Sequence, residues 1–131
     1  MEIVGMGTEI VECLRIRRMI EKHGEQFLRH AFTDAEIRRC QGNRHSTESF
    51  AALWAAKEAV LKSLGLGGRK GISWAEIEVD LTAEKAPGVT IAGGCAEVMR
   101  ERRIDQVLLT TSYCRAYATA YALAARADDD E

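Results

Sequence analysis

The chain lacks any cysteine grouping that holds a metal or runs redox chemistry. Cys13, Cys40, Cys95 and Cys114 form no CxxC pair and no zinc-like cluster. Histidine is just as unhelpful: His23, His30 and His45 have no metal-ligand spacing, so surface positions are expected. No apolar stretch is long enough to span a bilayer without meeting charge, since even the alanine-rich run after Phe50 contains Lys57 and Glu58. Membrane insertion is therefore excluded. A basic excess is missing too, and a formal net charge of −2 argues against nucleic acid as the main partner. The amino terminus opens on a strand-like run rather than on a charged, then apolar, export signal, so a reduced, cytoplasmic protein is expected. With no internal repeat or linker, 131 residues at 47% hydrophobic composition suit one domain with a real core. That domain is expected over residues 1–127, with 128–131 as a solvated acidic tail.

What is present reads as alternating elements. Residues 3–11 form a strand whose glycines, Gly5 and Gly7, leave room for close approach of another backbone. A helix follows over about 12–23, with Cys13, Ile16, Met19 and Ile20 on one arc and Arg15, Arg18 and Lys22 on another. Thr33-Asp34-Ala35-Glu36 reads as a capping box, with Phe32 and Ile37 as its hydrophobic staple. Ser46 or Thr47 is expected to cap a long central helix that Gly65 ends. Strands are expected at 77–81 and 89–91 across a Lys85–Gly88 turn, a short helix at 94–103, and a closing hairpin of strands near 106–113 and 116–125. Together these predict an α+β domain whose mainly antiparallel sheet unites both termini and packs against the central helix.

The informative anomaly is charge inside that helix. Lys57, Glu58 and Lys62 interrupt an otherwise apolar segment, and an unpaired buried ion costs several kcal/mol. These groups are expected to face water, each other or a charged ligand. Glu58 and Lys62 share one face at i,i+4, which suits an ordinary stabilising pair as well as a ligand site. Immediately downstream, Gly65-Leu66-Gly67-Gly68-Arg69-Lys70-Gly71 offers backbone N–H groups and cations suited to phosphate oxygens. A carboxylate, flanking ammonium groups and such a loop match a magnesium-bound diphosphate, with Glu9 as the candidate second acid. Arg15, Arg18 and Lys22 form an unbalanced stripe suited either to solvent or to a negatively charged protein.

The string Gly5-Met6-Gly7-Thr8-Glu9-Ile10-Val11-Glu12 resembles the Gly-x-Gly-Thr-Asp-Ile-Val-Glu opening of the bacterial holo-acyl-carrier-protein synthase group of 4'-phosphopantetheinyl transferases. Trp54 to Leu64 is similar to that group's aromatic-Ala-x-Lys-Glu-Ala signature, with a second lysine four residues on. Arg15-Ile16, Phe32-Thr33, Gly71-Ile72 and Tyr117–Ala120 fall in the same order, so the resemblance covers about residues 3–125. It implies transfer of the phosphopantetheine arm of coenzyme A to a serine of an acyl carrier protein, with release of adenosine 3',5'-bisphosphate. On this resemblance Glu9 and Glu58 hold Mg2+, and Lys57 and Lys62 neutralise phosphate charge. Lys62 also steadies the leaving group. Gly65, Gly67 and Gly68 line the coenzyme A site, and Glu58 is the candidate proton acceptor. Arg15, Arg18 and Lys22 contact the carrier, and the assembly is a homotrimer with coenzyme A between neighbours. Glu9 replaces the group's aspartate, Leu53 an arginine, Leu66 a threonine, and Tyr113 a histidine or acid. The competing expectations are a non-catalytic coenzyme A or carrier-protein binding module of the same fold, or a structural protein whose charged helix pair is only a salt bridge.

Overall fold

A computed structural model describes residues 1–67, 73–82 and 87–128. The first strand, β1 (Glu2–Glu12), runs the length of a three-stranded antiparallel sheet completed by β5 (Tyr117–Arg126) in the middle and β4 (Gln106–Tyr113) on the far edge. β1 and β5 pair from Glu2 opposite Arg126 to Glu12 opposite Tyr117, so the two ends of the domain are joined in one ladder. A separate antiparallel pair, β2 (Ile77–Asp80) with β3 (Gly88–Ile91), stands apart from that sheet. Of the turn expected at Lys85–Gly88, Lys85 and Ala86 lie outside the described residues, and Gly88 opens β3.

The α4 helix (Ser46–Ser63) lies across β1 and β5. The close approach comes from small residues. Ala118, Ala120, Ala122 and Ala124 of β5 turn inward and are completely or almost completely buried. On β1 a side chain at Gly5 would fall on the carbonyl of Ser63, and one at Gly7 on that of Ala59. The large residues of the same strands point the other way: Met6, Ile10 and Tyr121 are all at least 60% exposed. Apart from Val11 and, on β4, Leu109, which are buried, the sheet is therefore inverted, with small side chains against the core and large apolar ones on the open face.

Around α4 the other helices complete the core: α1 (Cys13–His23), α2 (Glu25–Ala31), α3 (Asp34–Gln41) and α5 (Gly93–Glu101). Nothing in the sequence predicts a helix at 25–31, where α2 forms without a side-chain cap. The capping box does form: Thr33 Oγ1 accepts from the Glu36 N–H, and Glu36 Oε1 accepts from the Thr33 N–H. By contrast neither Ser46 nor Thr47 caps α4. His45 is the N-cap and supplies no side-chain bond, because the loop is turned instead by Asn43, whose Oδ1 accepts from the His45 N–H at 2.8 Å. At its other end α4 closes as expected around Gly65, which has φ +77°. The N–H groups of Gly65 and Leu66 bond back to the carbonyls of Lys62 and Leu61. Asp128, the first residue of the acidic tail, takes the Met1 amino group at 2.6 Å. Among the described residues no helix is long and apolar enough to cross a membrane.

Candidate active site

Because β1 lies on α4 through Gly5 and Gly7, the next inward residue on that strand, Glu9, is carried along the helix toward Glu58 and Lys62. Lys62 bridges the two elements. Its Nζ donates to the Thr8 carbonyl at 3.0 Å and lies 3.5 Å from Glu9 Oε2. Glu9 and Glu58 are also close enough to repel. Burial, and then the Glu9 charge, push the Glu58 carboxyl above the usual glutamate range, while Lys62, Arg15 and a hydrogen bond from Trp74 pull it the other way. The Lys62 ammonium thus pairs with Glu9 where strand and helix cross, and the charges of both act on Glu58.

Among the described residues no cluster of three or more His, Cys, Asp or Glu could cage a metal by itself. The donor set still fits magnesium, which keeps several waters and commonly uses one or two carboxylates together with substrate phosphates.

Lys57 is not part of this cluster. It is 2% exposed, and its Nζ lies 2.5 Å from Glu36 Oε1 while donating to the carbonyls of Ala31 at 2.9 Å and Trp74 at 3.2 Å. The expectation that it faces water, a neighbour on the helix or a phosphate is corrected by a further possibility, a distant carboxylate inside the core. The sequence reading gave Glu36 a role only in its capping box.

The glycine turn is also more occupied than the sequence suggested. The Gly65 and Leu66 N–H groups are spent on helix carbonyls, so neither is offered to an anion. Leu66 is 1% exposed and belongs to the core. At Gly65 a side chain would strike the guanidinium of Arg102, which donates to the Leu64 carbonyl and so closes the same helix end. Gly67 packs against the Lys62 stem, where a Cβ would come within 2.9 Å of Cγ. Gly68, Arg69, Lys70, Gly71 and Ile72 lie outside the described residues.

Arg15, Arg18 and Lys22 are exposed on α1, whereas their neighbour Arg17 is taken by Glu21 at 3.0 Å. The stripe starts at the site, since Arg15 acts on Glu58. Leu53 and Tyr113 meet in a cavity of about 180 Å³ with Arg39, Cys40 and Leu81.

Comparison with known proteins bears directly on this geometry. A sequence profile of the 4'-phosphopantetheinyl transferase superfamily matches residues 5–122. This chain belongs to that superfamily. It is 44% identical over 121 residues to a holo-[acyl-carrier-protein] synthase of Rhodopirellula baltica, covering 92% of this chain and 96% of that one. A synthase of the same name from Chlamydia felis is 43% identical over 124 residues, covering 95% and 98%. Among solved structures, the Neisseria meningitidis synthase superposes with a TM-score of 0.85 at 28% identity, over 95% of this chain and 99% of that one. The Helicobacter pylori synthase in complex with coenzyme A gives 0.78 at 26%, over 92% and 99%. Glu9 and Glu58, the acids singled out in the sequence, are two carboxylates whose charges interact here.

Proposed function

We propose that this enzyme transfers the 4'-phosphopantetheine arm of coenzyme A to a serine hydroxyl of an apo acyl carrier protein and releases adenosine 3',5'-bisphosphate. The carrying observation is the meeting of Glu9, Glu58 and Lys62 at the crossing of β1 and α4, in a chain of this superfamily. Glu9 and Glu58 would hold Mg2+, which when bound supplies positive charge to the diphosphate oxygens. Lys62, tethered at its Nζ by the Thr8 carbonyl, is placed to carry charge on the leaving phosphate. In the transfer the serine oxygen forms a bond to the phosphorus nearer the pantetheine, and the bond from that phosphorus to the bridging oxygen breaks. The serine proton leaves to Glu58 or to a water that Glu58 orients.

Arg15, Arg18 and Lys22 form the docking face for an acidic carrier, and Gly67, packed against the Lys62 stem, flanks the coenzyme A site. The exposed sheet face, with Met6 at 71%, Ile10 at 62% and Tyr121 at 60% exposure, is too apolar to be left in water and supports burial between copies of a homotrimer. Free rather than paired cysteines suit work in the cytoplasm. Incubation of apo carrier with coenzyme A, Mg2+ and this protein is expected to add the mass of one phosphopantetheine arm to the carrier. Binding of coenzyme A without that gain, across several carriers, would identify a non-catalytic module instead.

A further inference from the structure

Smooth surfaces hold α4 against the sheet. Ala55, Ala56 and Ala59 lie buried on the helix, and Gly5, Gly7 and the β5 alanines face it from the strands. Such low-relief packing allows close approach but offers few side-chain knobs to fix the helix about its own axis. The direction of Glu58 depends on that axial setting, since successive residues are about 100° apart around a helix of 3.6 residues per turn.

The most heavily hydrogen-bonded contact of α4 is made in the core, on the side away from the half-exposed Lys62 tether to Thr8. Lys57, the neighbour of Glu58, spends its donors on Glu36 Oε1, the Ala31 carbonyl and the Trp74 carbonyl, and its ammonium lies 5.4 Å from the Phe32 ring centre. Glu36 is equally committed. Its Oε1 also accepts from the Thr33 N–H at 2.8 Å, and its Oε2 accepts from the Val79 N–H at 2.7 Å. The pair therefore ties α4 to the end of α2, the start of α3, the Trp74 turn and β2. Among the described residues no buried side-chain polar atom is left without a partner.

Stability does not explain such a node. A buried ion pair with its partners complete is often no more stabilising than an apolar pair of the same volume, whereas its geometry is far more demanding. Rotating α4 to aim Lys57 at a phosphate would break every one of these bonds and swing Glu58 away from Glu9.

We propose that Glu36 and Lys57 are a positioning pair: by locking the rotation of α4 they aim Glu58 at the cation site shared with Glu9, and Lys57 itself touches no phosphate. The proposal rests on the reading of the site as a magnesium–coenzyme A centre. It gives the first lysine of the helix signature a different task from the second.

The test is the neutral double variant Glu36→Gln/Lys57→Met, which removes both charges and leaves neither buried alone. Its thermal midpoint is measured first. Manganese is then titrated in the presence of coenzyme A, with free Mn2+ read by electron paramagnetic resonance, alongside the KM for coenzyme A in the transfer assay. The expected result is a folded protein whose Mn2+ dissociation constant rises about tenfold or more, the usual scale for losing a group that orients a metal ligand. The KM for coenzyme A should change much less. Unaltered Mn2+ affinity in the folded variant would reduce the pair to a structural contact and overturn the proposal. A weakened KM for coenzyme A with unaltered Mn2+ binding would overturn it in the other direction, by making Lys57 a phosphate ligand. Failure of the preceding functional reading looks different: wild-type protein would leave the carrier's mass unchanged, while the Mn2+ comparison of wild type and variant would still decide the pairing.

Discussion

Two lysines five residues apart on α4 each pair with a glutamate from another element, and the two pairs are opposites. Lys57–Glu36 is closed: both side chains are at most 2% exposed, the charges are 2.5 Å apart, and further hydrogen bonds fill what remains. Lys62–Glu9 is open: the charges are 3.5 Å apart, the side chains 43% and 24% exposed, and a second carboxylate, Glu58, lies beside them. The closed pair has nothing left to give a ligand. The open one keeps its charges within reach of solvent and of a ligand. On the function proposed above, identical side-chain types serve architecture in one place and chemistry in the other, and burial separates the two.

The contrast can be broken most severely at the closed pair. Lys57→Met strands the Glu36 carboxylate in the core and should cost about 3–5 kcal/mol of unfolding free energy, measured by urea denaturation. Lys62→Met should do the reverse. Its stability should stay within about 1 kcal/mol of wild type, as for any half-exposed pair, while transfer falls by roughly 10²-fold, the scale of a lost transition-state charge contact. If both substitutions behaved alike, the division between the two pairs would be wrong.

A smaller effect is expected at Glu9. Glu9→Asp shortens a ligand at an ion that demands near-ideal geometry, so the Mg2+ dependence of transfer should shift while the melting temperature holds. An unchanged titration would remove Glu9 from the metal site.

The smallest effect concerns pH. Glu58 has a carboxyl raised above its ordinary value of 4.5 by burial and by Glu9. Between 4.5 and that raised value the folded chain holds a proton that the unfolded chain has released, so this group's contribution to stability falls as pH rises through the window. The cost persists at neutral pH. Glu58→Gln should therefore melt at the same or a slightly higher temperature at pH 7 than wild type. A marked loss of melting temperature would show that Glu58 supports the fold.

The sequence made much of this architecture legible where the cause is local. Gly5 and Gly7 signalled close backbone approach, and the approaching backbone proved to be α4. The Thr33–Glu36 box announced α3, period-two alternation located β2 and β5, and β4 was placed as the hairpin partner of β5. Less visible were features set at a distance. The seven-residue α2 starts from Gly24 with no side-chain cap, so its N-terminus leaves no mark in composition. His45 became an N-cap because Asn43, not a hydroxyl, turns the loop. The inversion of the sheet is written in the β5 alanines, but only the helix lying on them shows which face is the core. Glu9 and Lys62 were brought together as candidates by chemistry and resemblance, and the strand–helix crossing joins them. Lys57 was misplaced because its partner Glu36 lies 21 positions away and no periodicity connects them. Satisfying a charge inside the core takes one well-placed distant residue, which a linear pattern cannot display.

A crystal of the protein grown with coenzyme A and Mn2+ tests the central claim most directly through the anomalous scattering of the metal. A peak coordinated by both Glu9 and Glu58 and by an oxygen of the diphosphate is the predicted result. A metal bound to neither glutamate, or a diphosphate held at Lys57, would contradict it.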